Sequence, residues 1–209
     1  MNQQIDDRWL DLCNGLAIDG ALAREWHARL VEAYGASDRH YHNLSHIDHC
    51  LREFDLLRDQ AQNASAIAFA IWFHDFVYDS HAANNEAKSA DIAREMLVAN
   101  DIDRSFINAV TDLILVTRHD VQPEGIDAKI IVDADLSILG HPWGTFDQYE
   151  RNIRAEYEWV DDASFTKGRA AVLNSFLDRS TIFSTELFVD RYEQPARENI
   201  RTSLQQLNH

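Results

Sequence analysis

Apolar residues recur along the chain at intervals of three and four, and that spacing predicts helices almost everywhere. In Phe106-Ile107-Asn108-Ala109-Val110-Thr111-Asp112-Leu113-Ile114 they fall at i, i+1, i+4, i+7 and i+8, the stripe of a half-buried helix. The same pattern predicts helices over roughly 19–34, 40–61, 65–78, 85–99, 143–159, 164–178 and 190–207. Helix breakers stand between them at Gly35, Asn63, Asn84-Asn85, Pro123-Glu124-Gly125, Gly140-His141-Pro142 and Asp161-Asp162. The stretch Ile126 to Leu139 is β-branched at its centre, Lys129-Ile130-Ile131-Val132. A lone strand would have no partner elsewhere in the chain, so this stretch too is read as helix. There is no internal repeat, no low-complexity tract and no linker longer than a few residues. The expectation is one all-α domain over residues 1–209, a single compact helical bundle.

Composition sharpens that picture. The 209 residues are 45% apolar and 26% charged, enough for a sizeable core. Only seven glycines and three prolines occur, too few turn formers for a β-sandwich or barrel. Nineteen basic residues face 35 acidic ones, a net charge of −16. Such a surface repels phosphate backbones and anionic lipid heads, which argues against broad nucleic-acid binding and against membrane-surface binding. The longest apolar run, Ala66 to Phe73, is eight residues, far short of the ~20 that span a bilayer. Met1 to Asp7 carries neither a basic nor an apolar leader region. Cys13 and Cys50 are isolated and read as reduced thiols, so a cytoplasmic protein is expected.

The chemistry concentrates in three places. Of ten histidines, His40, His42, His46 and His49 crowd into ten residues, and His42, His46 and His49 are spaced i, i+4, i+7, one face of a predicted helix. His74-Asp75 follows the apolar run, so a carboxylate and an imidazole meet low-dielectric surroundings. Either a mutual hydrogen bond or a bound metal ion would satisfy such a pair; the metal also accounts for the histidines upstream. Asp133-Ala134-Asp135 sets two further carboxylates in an apolar stretch. Two residues apart on a helix they diverge by about 200°, so one is expected to enter a site and the other to cap or pair locally.

Taken in order, His46, His74-Asp75 and Asp135 give an H…HD…D pattern that resembles the HD-domain superfamily of metal-dependent phosphohydrolases. Tyr41-His42-Asn43-Leu44-Ser45-His46 and Ala134-Asp135-Leu136-Ser137 are similar to segments of the cyclic-nucleotide phosphodiesterases. A closer likeness is to a small bacterial group of HD-type phosphohydrolases. It rests on Phe73-His74-Asp75-Phe76-Val77-Tyr78, Asn85-Glu86 with Ser89-Ala90, Asp133 to Gly140, and Ile153-Arg154 with Glu156-Tyr157. The resemblance spans about residues 39–207.

The resemblance implies a helical bundle of the HD type and hydrolysis of a small, nucleotide-like phosphate ester. It makes His46, His74, Asp75 and Asp135 the metal ligands, with Asp75 also serving the reaction, and His42 the proton donor to the leaving oxygen. A site of two imidazoles and two carboxylates suits Mn, Fe, Co, Ni, Zn or, less well, Mg as a divalent ion. Glu86 and His119 are candidates for a second metal or for substrate, although His119 also closes a predicted helix, where an imidazolium is favoured. Arg39, Arg118, Lys167 and Arg169 are the candidate phosphate-binding cations, the default reading of each being a solvated or salt-bridged surface residue. Trp9, Trp26, Trp72, Trp143 and Trp159 read as packing, and His27, His81, His141 and His209 show no partner at ligand spacing. Two other functions fit the same residues: an HD-fold di-iron oxygenase, and a non-catalytic, metal-stabilised module binding a nucleotide or a partner. The oligomeric state is not legible.

Overall fold

The computed structural model describes residues 3–207, so Met1, Asn2, Asn208 and His209 lie outside the described residues, as does the reading of His209. The protein is all-helical, with no strand among the described residues. In order the helices are α1 (Gln3–Gly15), α2 (Gly20–Tyr34), α3 (Leu44–Asp55), α4 (Ala64–Phe73), α5 (Asn85–Ala99), α6 (Arg104–Val116) and α7 (Ile126–Leu136). There follow α8 (Trp143–Glu156), α9 (Asp162–Leu177), the short α10 (Glu186–Phe188) and α11 (Gln194–Leu207). Two 3₁₀ turns, Arg58–Gln60 and Ser137–Gly140, and a π turn, Val189–Glu193, complete the order.

The centre of the bundle is α4. A helix apolar on every side must be enclosed, and Ala66 to Phe73 are each at most 6% exposed. Helices α1, α3, α5, α6 and α7 all pack against it. Trp9 of α1 meets Phe69, Trp72 and Phe73 with ring centroids 5.5–6.1 Å apart. Its indole Nε1–H donates to the Ala23 carbonyl at 2.7 Å, so the one polar atom of that ring is not stranded. Among the described residues, no helix is long and apolar enough to cross a membrane.

Boundaries follow local capping chemistry. Asn63, Asp103 and Asp161 each accept backbone N–H bonds at the starts of α4, α6 and α9. Gly125, at φ 78°, precedes α7 in a conformation that side chains disfavour.

Several expectations are corrected here. None of the predicted stretches covers α1, although Ile5, Trp9 and Cys13 recur at every fourth position and are buried. The helix predicted over 40–61 begins only at Leu44, because extended Asn43 caps it by accepting from Ser45 N–H at 2.9 Å. His40 and His42 therefore lie on the approach to α3 and not on its face. The helix predicted over 65–78 stops at Phe73, and His74 serves as its C-cap. Trp159 is 51% exposed and stacks on His81 at 3.9 Å instead of packing in the core.

Candidate metal centre

Three helices deliver the cluster. His46 lies in the first turn of α3, Asp135 near the end of α7, and His74-Asp75 where the chain leaves α4. Burying α4 requires its C-terminus to emerge beside α3 and α7, which pack on it, and that brings the three together. His46 Nε2 stands 3.1 Å from His74 Nε2, 3.2 Å from Asp135 Oδ1 and 3.4 Å from Asp75 Oδ2. His74 Nε2 is 3.0 Å from Asp75 Oδ2 and 3.7 Å from Asp135 Oδ1. Donors that each sit about 2.0–2.2 Å from one metal ion stand about 3–3.6 Å from each other. The cluster has that spacing. His46, His74 and Asp75 thus form a group able to hold an ion, and Asp135 joins His46 and Cys50 in an overlapping one.

The protein also prepares the donors. His74 Nδ1–H donates to the Ile71 carbonyl at 2.9 Å, which leaves Nε2 as the lone-pair nitrogen. Burial disfavours protonating His74, yet the Asp75 carboxylate beside it, with Asp135, holds its pKa well above the usual imidazole range. Burial would likewise raise Asp135, but bonds from His119, His46 and His74 hold it well below the usual carboxylate range. Without a cation these groups satisfy one another as imidazolium and carboxylate; a divalent ion would take the place of the protons.

His119 and Glu86 part company. His119 adopts a left-handed backbone, φ 60°, and its Nε2–H donates to Asp135 Oδ2 at 2.8 Å. It stands behind the carboxylate and orients it, and its Nδ1 is buried without a hydrogen-bond partner. Glu86 lines the cleft over the cluster but belongs to no group of ligand atoms close enough to share an ion among the described residues.

That cleft has a volume of about 430 Å³, the size of a small-molecule site. Its walls include Tyr78, Tyr149, Tyr157 and Phe176, with His42, Arg118 and Arg169. His42 is held by Glu156 of α8, a residue that enters the sequence reading only through the resemblance and without a role. Its Nδ1–H donates to Glu156 Oε2 at 2.6 Å, and Glu156 Oε1 accepts the backbone N–H of Tyr41 and of His42 at 2.6 and 2.9 Å. Tyr78 donates to Glu156 Oε2 at 2.9 Å and stacks on the His42 ring at 4.2 Å. Burial alone would raise the Glu156 carboxyl; His42 and the two backbone donors hold it down at about 2.

The remaining candidates divide. Arg39 is committed to the backbone: it donates to the carbonyls of Asp75 at 2.6 Å, Phe76 at 2.8 Å and His42 at 3.3 Å, tying the HD turn to the segment before α3. Arg169 lines the cleft and is bound by Tyr149 and Glu150. Arg118 also lines the cleft and pairs with Asp120, while Lys167 is exposed. Asp133 points away from the cluster and accepts from Ser184 N, Thr185 N and Thr185 Oγ1 at 2.7–3.1 Å. Cys50 was read only as a structural thiol, but its Sγ lies 3.7 Å from both ring nitrogens of His46; the i, i+4 spacing to His46 carried that signal.

No protein-family model, no curated protein and no solved structure matches the chain.

Proposed function

We propose that this protein is a metal-dependent phosphohydrolase of the HD type, acting on a small, nucleotide-like phosphate ester. The observation that carries the reading is the meeting of His46, His74, Asp75 and Asp135 at ligand spacing under a cleft that also presents an oriented His42. These four residues would hold a divalent ion, which when bound polarises a phosphoryl oxygen and lowers the pKa of water. The protein supplies the rest. Glu156 accepts from His42 Nδ1–H and fixes the ring, and the protonated ring would deliver its Nε2 proton to the leaving oxygen. Asp75 shares Oδ2 between the two cluster imidazoles; its other oxygen is the base we assign to the attacking water. The aromatic walls suit a planar base, and Arg169 and Arg118 suit phosphate oxygens.

A metal-stabilised module without catalysis would have no use for a buried carboxylate dedicated to His42, and a di-iron oxygenase would need more ligands than Glu86 and His119 supply at the cluster. The test is hydrolysis of p-nitrophenyl phosphate and a nucleotide monophosphate panel by metal-loaded protein, beside His74→Ala. Metal-dependent release of phosphate that His74→Ala abolishes is the expected result. Full metal occupancy with no turnover on any ester would leave the binding module as the better account.

A further inference from the structure

A second set of metal-type donors lies outside the cleft. His49 and Glu53 are i, i+4 on α3 and share a face, and His141 follows the 3₁₀ turn that ends α7. Candidate ligand atoms of all three lie within 4.8 Å of one another, and none belongs to the first cluster. His49 and Glu53 come three and seven residues after His46, so this group sits roughly 5–10 Å further along α3.

We propose that His49, Glu53 and His141 form a second metal site, which takes a zinc-class divalent ion and ties α3 to the segment that follows α7. Four observations support it. His141 Nε2 is buried with no hydrogen-bond partner, an arrangement that proteins avoid unless something satisfies the atom. It stands 3.6 Å from Glu53 Oε1, too far for a hydrogen bond but suited to two ligands of one ion. Glu53 is oriented from its other side, where Tyr192 O–H donates to Oε2 at 2.7 Å, and the His141 ring is stacked on Tyr192 at 5.3 Å and 18°.

The fourth observation concerns His49. Ser137 spends its hydroxyl proton on the Ala134 carbonyl at 2.7 Å, so its oxygen accepts from His49 Nε2–H, also at 2.7 Å. That assignment leaves His49 Nδ1 with a lone pair. Two imidazoles and one carboxylate are a donor set that zinc sites use, with a fourth position left for water. A Cβ at Gly140 would lie 2.5 Å from Tyr192 Cβ, so glycine lets the His141 segment close on the π turn whose Tyr192 holds Glu53. An ion here would tie α3 to that same segment.

The proposal is independent of the phosphohydrolase reading, and the experiment keeps the two apart. Untagged full-length protein carrying Asp75→Asn and Asp135→Asn, stripped by chelation, is titrated with Co²⁺ and followed by visible absorption and equilibrium dialysis. It should still bind one equivalent with ligand-field bands. Adding His141→Gln or Glu53→Gln should weaken that binding by about tenfold or more. Absence of Co²⁺ binding in the parent, or unchanged affinity after His141→Gln, overturns the site. Should the double-Asn parent fail to fold by circular dichroism, His141→Gln and His49→Gln are made in the otherwise unaltered chain. Each should then lower bound Co²⁺ by one equivalent, and unchanged stoichiometry overturns the proposal equally.

Discussion

His42 and Glu156 meet across 114 residues of chain, and the behaviour of both follows from that contact. In the proposed reaction His42 is the proton donor, a role that should contribute about 10²–10⁴ in rate. In His42→Ala, hydrolysis of alkyl phosphates should fall by that factor, whereas aryl phosphates, whose leaving oxygen needs no proton, should suffer much less. Metal content should stay unchanged. Paired kinetics on the two ester types, with metal measured on the same preparations, checks this. The variant should also lose about 1.5–3 kcal/mol of stability, because a buried carboxylate is left without its strongest donor.

Glu156 gives a matching pH prediction. Its folded pKa of about 2 lies below the usual ~4.3 of the unfolded chain. The stability it contributes is therefore complete above about pH 4.3 and lost as pH falls through about 2. Urea unfolding of wild type and Glu156→Gln should show a stability difference that is constant near pH 5–6 and shrinks towards pH 2. A difference that does not change over that range would mean that the carboxylate is not the stabilising form.

At the level of elements, α7 separates two aspartates that sequence proximity makes look equivalent. About 200° of helical rotation lies between them, which sends Asp135 to the cluster and Asp133 to the backbone of Ser184 and Thr185. Asp135→Asn should empty the first metal site. Asp133→Asn should keep the metal and cost about 1–3 kcal/mol, through loss of the acceptor that holds the loop before α10. Metal analysis and thermal denaturation of both variants decide it, and reversed outcomes would place the register of α7 wrongly. The contact between Gly140 and the π turn is a second test of element packing. Gly140→Ala forces its methyl against Tyr192 backbone atoms 2.8–2.9 Å away. The melting temperature should fall by several degrees, reflecting about 1–3 kcal/mol of overpacking.

For the molecule as a whole, the proposed metal site would link metal, protons and folding. In the metal-free protein the raised pKa of His74 stabilises the fold below about pH 6.5, and that stabilisation is lost as pH rises through the folded value. Bound metal acts in the opposite sense, since it needs deprotonated imidazoles. The rise in melting temperature on adding Mn²⁺ or Zn²⁺ should therefore be larger at pH 8 than at pH 5.5, and His74→Ala should abolish most of it. Differential scanning calorimetry at the two pH values is the measurement. An equal shift at both would mean that ions bind elsewhere, at groups that do not compete with protons.

What the chain determines by itself is whatever acts within one or two turns of helix. Amphipathic spacing, Asn and Asp caps and the wholly apolar Ala66 to Phe73 run were enough for an all-helical fold with His74-Asp75 just after the apolar run of its central helix, although not for where that helix stops. The histidine and carboxylate groups were legible because they are short motifs beside apolar runs, but the choice of His46, His74, Asp75 and Asp135 as one set came only from the resemblance to HD-type proteins. The tertiary structure decided the partners. Asn43 caps α3 and so removes His42 from the helix face; only packing then shows that Glu156 receives it. Arg39 looked like a phosphate cation until three backbone carbonyls claimed it, and His141 looked isolated until Gly140 let its segment close on Tyr192 beside Glu53. Those contacts join residues 36, 114 and 139 apart in the chain. No local period encodes such pairs, because they follow from which helix faces are buried against each other once α4 is enclosed.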